Sequence, residues 1–210
     1  MKPDPEEFTP LRIAVPTRFE SERLLLRCYT LSDAPTLSTS FNNNQHRLKQ
    51  DFPNRVKKIW AKEDAETFIW QKNQEWERRE AFHIGIWEKK GEAYAGEICY
   101  KDIAWKVPKA DVGYYVLNEF DGKGITTEAL TMTLPFAFEI LEMRKLQIRC
   151  SSENLASQRV AEKCGFKPEG VLRNDSVSEG RSLVTLMYYG MTPADYRALN
   201  LKPPVTGGFM

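Results

Sequence analysis

The stretch that decides the fold reads Ala110-Asp111-Val112-Gly113-Tyr114-Tyr115-Val116-Leu117-Asn118-Glu119-Phe120-Asp121-Gly122-Lys123-Gly124. Residues 110–117 form an apolar strand that runs into a tight glycine turn. From Ile125 onward Leu130, Leu134, Phe138 and Leu141 recur at helical spacing, so the unit is strand, turn, helix. A helix start presents unpaired N–H groups and about half a positive charge, which suits it to phosphate. Gly122 and Gly124 allow a ligand close to the backbone, and Lys123 adds a charge. The turn is not G-x-x-x-x-G-K-[ST], and it lacks the third glycine of the dinucleotide fingerprint. Taken alone, it suits an ordinary helix entry as well as an anion site.

Upstream, Leu24-Leu25-Leu26-Arg27-Cys28 predicts the first strand. Ser32-Asp33-Ala34-Pro35 opens a short helix with Ser or Asp as cap and Pro in the first turn. Residues 42–58 predict a loop with one weak helix, and 62–80 a helix in which Phe68, Ile69, Trp70 and Trp76 make an aromatic stripe. Such a stripe fits core packing or a pocket wall. Strands at 81–88 and 92–103 join the one at 110–117 in an antiparallel meander. Downstream, the helix over 125–142 contains Pro135, which predicts a kink between Thr131 and Pro135. A strand at 146–150 and a helix at 154–164, stopped by Gly165, follow. A hairpin spans 171–177 and 182–190, and Thr192-Pro193 starts a last helix. The tail, 202–210, is expected to be loosely held. The order implies one mixed α/β (α+β) domain with a central sheet and helices on both faces. Its limits are read as an N-terminal extension at 1–19, the domain at 20–200 and a C-terminal tail at 201–210.

The bulk composition narrows the classes. With 210 residues, 41 % hydrophobic, the chain can bury a core without staples. Lys plus Arg is 30 and Asp plus Glu is 29, a net charge of +1, so no bulk electrostatic case for nucleic acid or an anionic membrane exists. No run approaches the roughly 18 apolar residues of a transmembrane helix, and residues 1–11 lack a secretory apolar region. Cys28, Cys99, Cys150 and Cys164 are scattered, which predicts reduced thiols in a cytoplasm and no zinc or other metal site. Chemistry built on several imidazoles is unexpected, because His46 and His83 are the only histidines.

A second motif changes the weight of the first. One strand later stands Asn154-Leu155-Ala156-Ser157-Gln158-Arg159-Val160-Ala161-Glu162-Lys163-Cys164-Gly165-Phe166. Together with Glu22-Arg23-Leu24-Leu25-Leu26-Arg27, Gly96, Val112-Gly113-Tyr114, Gly122-Lys123-Gly124-Ile125 and Thr127-Glu128-Ala129, it resembles the GCN5-related N-acetyltransferase (GNAT) superfamily. Within that superfamily it is similar to the RimJ/RimL type of ribosomal-protein N-terminal acetyltransferase, over about residues 20–197. The resemblance implies acyl transfer from acetyl-CoA, as co-substrate, to a primary amine. The acceptor would be a protein α-amine or a small-molecule amine, and the enzyme a monomer or homodimer. It implies a mixed sheet splayed between its fourth and fifth strands, those at 110–117 and 145–151. Pantetheine would pair with backbone at Val116 and Leu117, and the diphosphate would sit on amides of Gly122, Lys123, Gly124, Ile125 and Thr126.

Further roles come with the same resemblance. Asn154 and Ser157 would lie near the pantetheine arm and the sulfur, with Ser157 as proton donor to the leaving thiolate. Asp111 would orient or deprotonate the amine, and Arg159 with Lys163 would meet the adenosine phosphate. Each has a plainer reading: Asn154 as a helix cap, Ser157 as a solvated hydroxyl, Asp111 in a structural ion pair, Arg159 on a solvated helix face. His83 and Glu97 are further candidates on neighbouring strands. The bare chemistry needs a proton acceptor for the amine, a donor for the oxyanion such as the Val116 N–H, and no cysteine nucleophile. Glu119 and Asp121 flank the glycine turn, and a diphosphate there needs both carboxylates turned away. Their presence is also compatible with a CoA-binding or protein-binding module without turnover.

Overall fold

A computed structural model describes residues 14–51, 59–178, 182–201 and 205–209. Among the described residues nine strands form one sheet in the order β7-β8-β6-β5-β4-β3-β2-β1-β9. The strands are β1 (Pro16–Glu20), β2 (Leu24–Arg27), β3 (Phe82–Glu88), β4 (Ala93–Ala104), β5 (Lys109–Val116), β6 (Lys145–Ser151), β7 (Lys167–Val177), β8 (Leu183–Met191) and β9 (Val205–Phe209). The helices are α1 (Ala34–Asn43), α2 (Gln45–Asp51), α3 (Lys62–Glu77), α4 (Ile125–Pro135), α5 (Leu155–Lys163) and α6 (Pro193–Ala198).

The meander forms as expected, with β3, β4 and β5 antiparallel in turn. Alternation along β4 and β5 sorts side chains onto two faces. Phe41 of α1 packs on Tyr115, and Phe68 of α3 on Tyr29, with ring centroids 6.0 and 6.1 Å apart. On the opposite face Tyr100 donates to the Thr133 carbonyl of α4 at 3.0 Å and Tyr114 to the Ser157 carbonyl of α5 at 2.9 Å. Because both faces are covered, Phe82 to Trp87 are all buried and the alternation expected at 81–88 carries no polar side.

Only β5 and β6 run parallel, and among the described residues they pair only at Lys109↔Lys145, Ala110↔Leu146 and Asp111↔Gln147. Beyond Asp111 the strands part, while β6 stays paired to β8 as far as Ser151↔Leu186. The slot expected between these strands is therefore present, opening at Val112.

Several expectations are corrected. The first strand is β1, not the run at 24–28, and the tail is not loose at 205–209: β9 pairs with β1 from Glu20↔Val205 to Pro16↔Phe209. Within 42–51 the chain is helical up to Asp51, and residues 52–58 of the expected loop lie outside the described residues. Trp76 is buried but Trp70 is 60 % exposed, because six positions at about 100° each put them on different sides of α3. Pro135 ends α4 and a turn of π-helix, Phe136–Ile140, replaces the expected continuous helix to 142. Proline lacks the N–H that would bond the fourth residue back, so the register loosens there. The Gly165 stop and the Thr192 cap stand as read: Gly165 has φ 88°, and Thr192 and Asp195 cap α6 reciprocally.

Candidate active site

The glycine turn and the slot meet at one end of β5. After Val116 the chain makes a short 3-10 turn, Asn118–Phe120, whose Phe120 is buried and anchors it. Asn44, at the α1–α2 junction, accepts the Asn118 N–H at 2.8 Å. Gly122 and Gly124 then take φ 70° and 73°, left-handed values that cost a side-chain-bearing residue energy. Gly124 is the N-cap of α4 and supplies no side-chain acceptor for the first amides. The first turn of α4 thus offers N–H groups to a ligand. Ile125 and Thr126 point their side chains into the protein, which leaves that work to backbone. Lys123 lies 5.4 Å from the Phe120 ring, and Arg23 donates to the Lys123 carbonyl at 3.1 Å. Arg23 is held there by Glu128, which also accepts from Ser21 at 2.6 Å.

Gly96 sets the approach of β4 to β5. A Cβ there would lie 2.1 Å from the Tyr115 carbonyl oxygen and 2.9 Å from the Val116 Cα, so only glycine permits the pairing Gly96↔Val116. The Leu117 N–H donates to the Ala95 carbonyl at 2.9 Å. Alternation then turns the Val116 N–H to the other edge, toward the slot.

Across the slot, Asn154 caps α5 by accepting the Ser157 N–H at 3.0 Å. Tyr114 spans from β5 to α5, its hydroxyl 3.0 Å from Ser157 Oγ. Burial pushes the Tyr114 phenol well up, despite the opposing bond to Ser157, so it stays protonated near neutral pH. Asp111 sits at the last paired position of β5 and forms an ion pair with Arg149, which also reaches Asp102 at 3.3 Å. Arg159 is exposed on α5. The loop residues 122–126 come together with Val116 and Leu117, and Asn154 and Ser157 meet β5 through Tyr114, whose sequence signal was only its place in a matching strand. Arg47 of α2 was not foreseen: it pairs with Asp121 at 2.8 Å.

Under α1 and α3 lies a buried polar cluster. Tyr29 donates to Glu97 at 2.7 Å and meets Tyr94 at 3.0 Å, Tyr94 meets Tyr115 at 2.5 Å, and His83 bridges Glu97 at 3.0 Å and Glu75 at 3.2 Å. Burial raises the Tyr29 and Tyr94 phenols well above the usual value. Burial alone would raise Glu75 too, but His83 and Lys72 bring it down to about 2. Among the described residues His83, Glu97 and Cys99 place three donor atoms within 4.8 Å, yet Glu97 and Glu75 already engage both imidazole nitrogens. All four cysteines are buried, and burial pushes Cys28 up to about 12 and Cys164 to about 11, which leaves them poor nucleophiles.

A nine-stranded sheet forked beside an amide-lined turn defines an acyltransferase of the GNAT class. The model of the acetyltransferase (GNAT) domain matches residues 23–167, and the chain belongs to that family and is an N-acetyltransferase. It is similar to "Putative ribosomal N-acetyltransferase YdaF" of Bacillus subtilis (strain 168), 29 % identical over 180 residues, covering 84 % of this chain and 94 % of that protein. Among solved structures it resembles the microcin C7 self-immunity acetyltransferase MccE, in complex with acetyl-CoA and AMP, at 25 % identity and TM-score 0.73 over 82 % of this chain and 93 % of that one. The ribosomal-protein-S5-alanine acetyltransferase of Vibrio fischeri shares the fold, with TM-score 0.78 at 23 % identity over 85 % of this chain and 98 % of that one. Among the described residues no helix is long and apolar enough to cross a membrane.

Proposed function

We propose that the protein transfers the acetyl group of acetyl-CoA to a primary amine by direct attack in a ternary complex. The observation that carries this reading is the fork after Asp111↔Gln147, beside a left-handed glycine turn that opens α4. An extended pantetheine arm fits a strand-wide gap, and it gains main-chain hydrogen bonds from Val116 on the β5 side, whereas the expected role of Leu117 is ruled out by its N–H being held by the Ala95 carbonyl. The amides of Gly122 to Thr126 receive the diphosphate, and side-chain identity matters little to that contact. Arg159 lies on α5 for the adenosine phosphate.

The chain's own groups then divide the chemistry. The Val116 N–H donates to the oxygen that gains charge as the amine nitrogen bonds to the acyl carbon. The proton that the amine nitrogen must lose passes through a chain of water toward Asp111, which Arg149 holds roughly 16 Å along β5 from Val116. As the carbon–sulfur bond breaks, Ser157 Oγ gives its proton to the sulfur and regains one from water, to which Asp111 returns the amine's proton, and Tyr114 orients that hydroxyl. Asn154 fixes the first turn of α5, and so the position of Ser157. No enzyme-bound acyl group is needed, in keeping with four buried thiols.

For the acceptor we favour a protein N-terminal α-amine over a small amine, in keeping with the ribosomal N-acetyltransferase name of YdaF. The test is calorimetry with acetyl-CoA followed by a thiol-release assay on free-N-terminus peptides, N-acetylated controls and a polyamine. Release with the free peptides, absent with the blocked ones, is expected. Micromolar acetyl-CoA binding with no release for any amine would instead identify a binding module without turnover.

A further inference from the structure

The glycine turn carries an acid directly before its first glycine, and the structure shows what that acid does. Asp121 does not turn wholly away. Its Oδ1 accepts the Gly122 N–H at 3.0 Å, an amide of the very turn that offers itself to a diphosphate. Its Oδ2 pairs with Arg47 Nη1 at 2.8 Å. Asp121 is 54 % exposed and Arg47 33 %, so neither is locked in the core. Nothing lies within 4 Å of where a Gly122 Cβ would stand, so the turn is open on that side. The Arg47 guanidinium is thus one carboxylate away from the turn. It comes from α2, an element of the layer that covers the opposite face from α5 and that is tied to the turn at a second point by Asn44 and Asn118.

We propose that Asp121 is a built-in place-holder for the cofactor diphosphate, and that Arg47 is a diphosphate-binding residue which the place-holder keeps poised over the turn. The inference rests on the acetyl-CoA reading above and says how that cofactor is received. When the diphosphate takes the Gly122 N–H, the Asp121 carboxylate swings out to solvent and the guanidinium pairs with phosphate oxygen, a bidentate match that Arg makes well. The exchange trades one anion for another around the same two donors, so no donor is left unpaired at any point. It also resolves the electrostatic conflict in the sequence: the Arg47 guanidinium and the Gly122 amide hold the Asp121 carboxyl below its usual range against the opposing effect of burial, which is the signature of a charge already compensated. Glu119, Lys123, Arg23 and Glu128 are the other charges at the turn, and Glu128 is already spent on Arg23. Because Arg47 belongs to α2, the handover draws the layer containing α1 and α2 toward bound cofactor.

The test is calorimetric titration of CoA, with pantetheine as the probe that lacks any phosphate, into wild type, Asp121→Asn, Arg47→Ala and the double variant. Asn keeps an acceptor for the Gly122 N–H and removes only the competing charge, and circular dichroism confirms the fold of each protein. The expected result for Asp121→Asn is CoA binding tighter by about three- to tenfold, the scale of one partly exposed charge. Arg47→Ala is expected to weaken CoA about tenfold in both backgrounds, and pantetheine affinity is expected to stay within about twofold throughout. Two results overturn the inference while leaving the acetyl-CoA reading intact. One is unchanged or weaker CoA binding by Asp121→Asn. The other is a double variant that binds CoA as well as Asp121→Asn alone, since Arg47 would then act only by masking Asp121. A folded wild type that binds no CoA overturns both the reading and the inference built on it.

Discussion

Replacing Gly96 with alanine strikes the point where the slot wall is built. The added Cβ would sit 2.1 Å from the Tyr115 carbonyl oxygen and 2.9 Å from the Val116 Cα, both of them backbone atoms. An ordinary carbon–oxygen contact is about 3.3 Å or more, so β4 and β5 must separate by roughly an ångström at their tightest pair. Neither side can yield by rotating a side chain. Overpacking of this kind costs about 1–3 kcal/mol and more when backbone must move, and φ of 158° adds strain for a residue with a Cβ. We expect about 2–4 kcal/mol, which in a chain of this size lowers Tm by roughly 4–16 °C. The same shift displaces the Val116 N–H, and a misplacement of about 1 Å can cost about a hundredfold in rate. Differential scanning calorimetry reads the first effect, and thiol release at a temperature where the variant is fully folded reads the second. A Gly96→Ala protein with Tm within about 2 °C of wild type and normal turnover would refute the reasoning, because it would show that the two strands are not held at this distance.

Four further outcomes follow from the same geometry. Ser157→Ala should lower kcat by about tenfold to a hundredfold and change CoA affinity by less than about twofold, read by thiol release and calorimetry; equal losses in both would mark Ser157 as a binding residue only. Asp111→Asn should lower kcat by about a hundredfold in a protein that stays folded, read by thiol release and circular dichroism, whereas a drop in stability with unaltered kcat would leave the Arg149 pair as its whole role. For Glu75, a carboxyl lowered from 4.5 to about 2 contributes stability that is fully present above pH 4.5 and is lost as pH falls toward 2. Urea midpoints for Glu75→Gln should therefore approach those of wild type as pH drops through that window, and a gap that stays constant down to pH 2 would contradict the link. Finally, Cys28 and Cys164, pushed up to about 12 and 11 by burial, should resist iodoacetamide at pH 8 in the folded protein with turnover retained; rapid alkylation under native conditions would show the thiols are accessible.

What the sequence made legible was local and periodic. The turn at 122–124 announces itself because glycine takes left-handed φ without a side-chain penalty, and the caps at Thr192 and Gly165 follow from equally local rules. The slot was legible only through the resemblance carried by the run at 154–166, since no periodicity says where two parallel strands stop pairing. The pairing of β1 with β9 was hidden because Thr206-Gly207-Gly208 reads as loose chain, and its partner Pro16–Glu20 is five residues near the start of the sequence. Edge strands of this kind are specified by a distant partner rather than by their own pattern. Trp70 and Trp76 looked like one stripe, and the helical period divides them. Arg47 gave no signal at all: it lies in a polar stretch of little periodicity, and its meaning depends on a carboxylate 74 positions away.

The measurement that bears most directly on the central claim is a crystal structure of the protein with CoA bound. The account predicts continuous density for the pantetheine arm between Val112–Val116 of β5 and the free edge of β6, with the diphosphate against the amides of residues 122–126. Density for CoA elsewhere on the surface, with β5 and β6 zipped together past Asp111 and Gln147, would contradict it.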